Sequence, residues 1–98
     1  MIYKYDLGIP QDYPQTTRMI LTYGEYVKNF LTVQMQDNHA VLWAEVERSD
    51  CGNNSFCVIP VWTGFEEPQD KDMKYISTVQ EPSTGLVYHY YVKNNTPI

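Results

Sequence analysis

The stretch Gln36–Gly64, QDNHAVLWAEVERSDCGNNSFCVIPVWTG, decides the fold. Asp37-Asn38-His39 reads as a tight turn, because Asp and Asn tolerate left-handed backbone and bond their own turn. Ala40–Arg48 then alternates as a strand: Leu42, Ala44 and Val46 share one face, and Val41, Trp43, Glu45 and Glu47 the other. Ser49–Ser55 is polar and rich in turn residues, which predicts a loop. Phe56–Trp62 is apolar on both faces, so this strand should be central or covered on both sides. Pro60 cannot donate to a ladder, so a bulge or a local edge is expected there. Thr63-Gly64 ends the strand.

Working outward, Phe30–Gln36 is the partner of that first strand, with Leu31, Val33 and Met35 on one face and Phe30, Thr32 and Gln34 on the other. Thr16–Thr22 is a further strand rich in β-branched residues, and Tyr23-Gly24 interrupts the pattern after it. Ile2–Leu7 alternates with Tyr3, Tyr5 and Leu7 inward, and Gly8–Pro14 is a loop. Downstream, Phe65–Asp72 is an acidic, proline-containing loop. Met73–Gln80 and Leu86–Lys93 form a hairpin across Glu81–Gly85. The expectation is a mostly β, single antiparallel domain spanning residues 1–98. About seven strands would form a meander closing as a barrel or sandwich, with little or no helix.

Composition narrows function. Ninety-eight residues make one domain at most. The net charge is −5, with no basic stripe, so direct binding of a nucleic-acid backbone is disfavoured. The acids concentrate at Glu66, Glu67, Asp70 and Asp72, which serve solubility or face a basic protein surface. There is no leader-like apolar run near Met1 and no stretch approaching the ~20 apolar residues that span a bilayer. A cytoplasmic protein without membrane contact is expected.

Cys51 and Cys57 flank five residues. A disulfide between them is geometrically open, but a reducing compartment favours two thiols. Only His39 and His89 could complete a metal site, and the cysteine spacing lacks a zinc knuckle, so neither metal nor other cofactor is expected. His89, between Tyr88 and Tyr90, reads as a base or stacking group, or as a half-buried histidine bonded to a backbone carbonyl; the second reading is favoured. No nucleophile motif or placeable carboxylate pair exists, so catalysis is not expected. The chain holds 9 tyrosines, and aromatics are abundant in contact surfaces. The candidate interface is therefore Phe65, Tyr75, Tyr88, Tyr90 and Tyr91 with the acids Glu66, Glu67, Asp70 and Asp72. Self-association is a second use of the same aromatics.

Five short segments carry a resemblance over nearly the full length. They are Lys4-Tyr5, Leu42–Val46, Thr63-Gly64, Tyr75–Val79 and Tyr88-His89. In these the chain resembles a family of small bacteriophage and prophage proteins of unknown function. It departs from that pattern at Thr22-Tyr23-Gly24 and around Cys51 and Cys57. The resemblance implies a viral origin and no site residues. Small size, acidity and surplus tyrosine, together with that resemblance, suggest an anti-CRISPR-like inhibitor of a host defence system. It would act in the host cytoplasm, by contact with a host protein that itself binds nucleic acid. The alternatives are an oligomeric protein that sequesters a nucleotide signal, using Arg18, Arg48, Lys74 and Lys93, and a minor structural or accessory phage protein.

Overall fold

The computed structural model describes residues 1–95, apart from the side chains of residues 51–53. The elements are β1 (Ile2–Asp6), a 3-10 turn (Pro10–Asp12), β2 (Arg18–Gln36), β3 (His39–Trp62), β4 (Lys74–Gln80) and β5 (Val87–Asn94). The fold is mostly β, a single antiparallel sheet curled into a half-barrel.

The β2–β3 hairpin is its spine. Asp37 and Asn38 adopt φ of 48° and 67°, and Gln36 pairs with His39 across them. Both central residues are left-handed, so the turn twists in the sense the strands need. The expected strand segments are all present, but two pairs of them are joined. Gly24 bends β2 without ending it: its φ is +77°, and the register shifts between Tyr23 and Glu25. The Thr22 hydroxyl and the Asn54 amide both donate to the Glu25 carbonyl, at 2.9 Å each, and so satisfy the kink with buried polar groups.

The loop expected at Ser49–Ser55 is instead part of β3. Asn53, Asn54 and Ser55 pair with Tyr23, Thr22 and Leu21. Register passes from Glu25↔Arg48 to Tyr23↔Asn53, so residues 49–52 stand opposite Gly24 alone. The turn-type residues there make a wide excursion in a continuing ladder rather than a chain reversal. Two more shifts lie in β2, at Val27/Asn29 and Phe30/Thr32. Bulges add bend and twist, and they change which face a residue meets. Leu31 accordingly turns outward, while Phe30, Val33 and Met35 all reach the core. That breaks the expected grouping of Leu31 with Val33 and Met35.

Bending lets β3 hold two neighbours in succession on the edge away from β2. β1 pairs with Val41–Glu45, skipping β2, and β5 pairs with Phe56–Trp62. β4 follows on β5 and curls back to β2. There the Ser77 hydroxyl accepts from the Val33 amide at 2.8 Å and lies 3.2 Å from the Thr32 hydroxyl. On the other side, Tyr5 donates to the Glu25 carboxylate at 2.7 Å, and Arg18 donates to the Leu7 carbonyl at 2.6 Å. Side-chain hydrogen bonds, rather than ladders, close both gaps.

The core fills the concave side. Phe56 lies at its centre, with the rings of Tyr5 and Phe30 edge-on at 5.3 and 5.5 Å. The convex side of β3 is covered at Ile59 and Val61 by Met73, which accounts for an apolar strand on both faces. β2 pairing ends at Arg18↔Val58, so Pro60 lies on the local edge anticipated for it. Its carbonyl there accepts from the Gln15 amide at 2.8 Å.

Two substitutions test the spine and the closure. Asn38→Gly removes the Cβ penalty of left-handed backbone and should raise stability by up to about 1 kcal/mol in urea titration. Ser77→Ala leaves the Val33 amide without its acceptor and should cost about 1–3 kcal/mol in the same measurement.

Candidate functional site

β5 sorts its aromatics by face. Tyr88, Tyr90 and Val92 point into the core, and His89, Tyr91 and Lys93 are only partly covered on the outside. Tyr88 and Tyr90, read from sequence as interface residues, are both 0 % exposed and are core residues instead. In a curved sheet the concave face of the last strands needs large side chains, and these two fill it. Burial pushes the Tyr90 phenol well above its ordinary value, with a smaller contribution from nearby Tyr88 and Glu81 acting against Arg18.

On the outer face, Tyr75 and Tyr91 are register partners whose rings meet edge-on at 5.9 Å. Tyr75 is 56 % exposed. A chain of hydrogen bonds crosses the strands beside them. The Tyr75 hydroxyl lies 2.8 Å from that of Thr78, which lies 2.9 Å from His89 Nδ1, while His89 Nε2 lies 2.8 Å from the Thr63 hydroxyl. His89 is thus bonded to two threonine hydroxyls rather than to a backbone carbonyl. Both ring nitrogens are engaged, so neither is open to a ligand.

The loop between β3 and β4 brings the acids to this face. Asp70 accepts from Lys93 Nζ at 2.6 Å and from the Asp72 amide at 2.9 Å. Those two hydrogen bonds, the lysine's first, hold its carboxyl below the usual range. Glu66, Glu67 and Asp72 are exposed and form no ion pair among the described residues. The Tyr91 phenol is pushed up, by burial first and then by the charge of Glu67. Phe65 lies elsewhere: it is 56 % exposed and edge-on at 5.2 Å to Trp62, which packs against the core on the side of Tyr88. Of the candidates, Glu67, Asp70, Asp72, Tyr75 and Tyr91 therefore come together, with Glu66 on the same loop; Phe65, Tyr88 and Tyr90 do not join them.

Two cavities adjoin the surface that sequence reasoning did not find. One, of about 400 Å³, is apolar and lined by Trp62, Thr63, Phe65, Leu86 and Val87. The other, of about 380 Å³, lies between the acidic loop and Cys57, Ile59 and Lys93. Only the register, which is invisible before pairing is known, places these residues together. Met19, Leu21 and Tyr23 also project outward from β2 as an exposed apolar row, with an alternation that was legible in the sequence.

The basic residues are dispersed. Arg18 lies over the Tyr13 ring at 3.7 Å and bonds Leu7, and Lys93 is paired with Asp70. Cys57 is a free, half-buried thiol, and the Cys51 side chain lies outside the described residues. Among the described residues no three His, Cys, Asp or Glu side chains converge on a metal position. No helix among them is long and apolar enough to cross a membrane.

The division into core and surface tyrosines is measurable. Tyr90→Ala should cost about 3–5 kcal/mol in urea titration, as for other large core aromatics. Tyr75→Ala should stay within about 0.5 kcal/mol. The fold favours the neutral Tyr90 phenol, so that contribution is complete below pH 10.0, the ordinary tyrosine value, and is lost as pH rises beyond it. Tyr90→Phe should accordingly blunt the alkaline loss of stability, read as the melting temperature against pH.

Among curated proteins none matches this chain. No solved structure matches it. One family model does, described as a domain of unknown function (DUF7352), over residues 1–97. That match covers nearly all of the chain, and the chain therefore belongs to the DUF7352 family.

Proposed function

We propose that this is a non-catalytic binding protein whose contact surface is the outer face of β4 and β5 with the loop that precedes β4. The observation that carries the reading is the pairing of exposed Tyr75 with half-covered Tyr91 beside the loop that bears the carboxylates of Glu66, Glu67 and Asp72. Aromatic anchors bordered by charge are a common composition for a protein interface. Clustered carboxylates favour a partner with a basic surface, and they speed its encounter.

A basic surface of that kind is typical of proteins that hold nucleic acid. On this reading the chain is phage-encoded, acts in the host cytoplasm, and covers the nucleic-acid-binding surface of a host defence component, as anti-CRISPR proteins do. The sequence resemblance to phage proteins supports the origin, and the net charge of −5 supports the mode of contact.

Sequestration of a nucleotide signal has less support, because Arg18 and Lys93 are already engaged within the chain. Calorimetry against cyclic nucleotides separates the two readings. A minor virion protein would be found in purified particles.

The test is phage plating on a host with an active CRISPR system. Expression of the chain should restore plating by about tenfold or more, and Glu66→Lys with Glu67→Lys should remove most of that gain through like-charge repulsion. Unchanged plating, with no defence component captured on the immobilised chain, would sink the proposal.

A further inference from the structure

Residues 65–72 cross the convex face with little to hold them. Their backbone hydrogen bonds among the described residues are local: Phe65 donates to the Trp62 carbonyl at 3.1 Å, and Asp70 accepts from the Met73 amide at 3.1 Å. The segment meets the barrel at three other points, the first being the Phe65 ring edge-on to Trp62 at 5.2 Å. Met73, immediately after it, is buried against Ile59 and Val61. Asp70 Oδ2 lies 2.6 Å from Lys93 Nζ on β5. Between those points lies the 380 Å³ cavity, bounded by Pro68 and Asp70 from the loop and by Thr17, Cys57, Ile59 and Lys93 from the barrel. Cys57 is the register partner of Lys93, and its sulfur lies 3.1 Å from the Asn95 amide nitrogen.

We propose that residues 65–72 are a strap, latched by the Asp70–Lys93 ion pair, that controls access to the cavity holding the Cys57 thiol. The latch is suited to opening. Its two side chains are 44 % and 29 % exposed, and ion pairs of that kind contribute little and are screened by salt. Glu66, Glu67 and Asp72 flank Asp70 in the sequence, and Lys93 supplies the ion pair that holds the loop to the sheet. Segments with few backbone bonds to the rest of a fold open locally at low cost. The inference is independent of the proposed partner.

Two maleimides with the same reactive group test it, N-ethylmaleimide and the bulky, uncharged N-pyrenylmaleimide. Modification of Cys57 is followed residue by residue in peptide digests. The rate ratio of the two reagents reports steric cover, because any change in thiolate fraction affects both alike. In the wild-type chain at low salt the bulky reagent should be disfavoured by about tenfold relative to the unfolded chain, as closure of a narrow cavity requires. Asp70→Asn should bring the ratio to within about twofold of the unfolded value, and so should about 1 M salt, where the screening length is about 3 Å. Glu66→Gln should leave it unchanged. A ratio unmoved by Asp70→Asn overturns the latch, as does a wild-type ratio equal to that of the unfolded chain. The salt arm uses the wild-type chain, and it decides the matter should the variant fail to fold.

Discussion

The left-handed turn at Asp37-Asn38 fixes the register of β2 against β3, and every other strand takes its place from that pairing. A shift of one residue would move Leu42, Ala44 and Val46 from the core to water. The ladder then runs nearly the length of both strands, interrupted by bulges rather than ended by loops. Each interruption turns the hairpin further around its own concave face. A straight hairpin of this length would leave both faces exposed, whereas the bent one makes a hollow that Phe56, Tyr88 and Tyr90 fill. Curvature also gives β3 room for β1 and β5 on one edge, so the order of the sheet follows from the bend.

Much of this was legible in the sequence, for definite reasons. The inward set of β3, the turn before it, the double apolar face around Ile59 and the local edge at Pro60 all follow from period and from proline's missing amide. What was not legible depends on bulges. Gly24 and the residues from Ser49 onward have the composition of loops, and composition does not distinguish a chain reversal from a kink in a continuing ladder. Leu31 failed for the same reason, since its neighbours changed face at a register shift. At the candidate site the acids of residues 66–72 were visible as a cluster. Which tyrosines joined them was not, because Tyr88 and Tyr91 differ only in parity along one strand.

The surface divides its charges between two uses. Asp6 with His39, Glu47 with Lys28 and Asp70 with Lys93 are paired within the chain and tie neighbouring segments together. Glu66, Glu67 and Asp72 are left facing outward beside Tyr75 and Tyr91. The pairing of Asp70 therefore tethers the loop, and with it those carboxylates, to the barrel. Local anchoring of that kind lowers the ordering cost of any contact made through the loop. The outer threonines contribute similarly, because Thr63 and Thr78 fix His89 and, through it, the spacing of three strands.

The excursion opposite Gly24 has a consequence for how this chain can vary in length. Four residues of β3 there stand against one of β2, yet the ladder resumes on both sides with its faces intact. The Glu25 carbonyl accepts from both Thr22 and Asn54, so buried hydrogen bonds close the junction itself. Such a place absorbs insertions and deletions without propagating a frameshift into the core. It is the natural position at which relatives of this fold could differ in size, and a grafted peptide placed there would be displayed on a rigid hairpin.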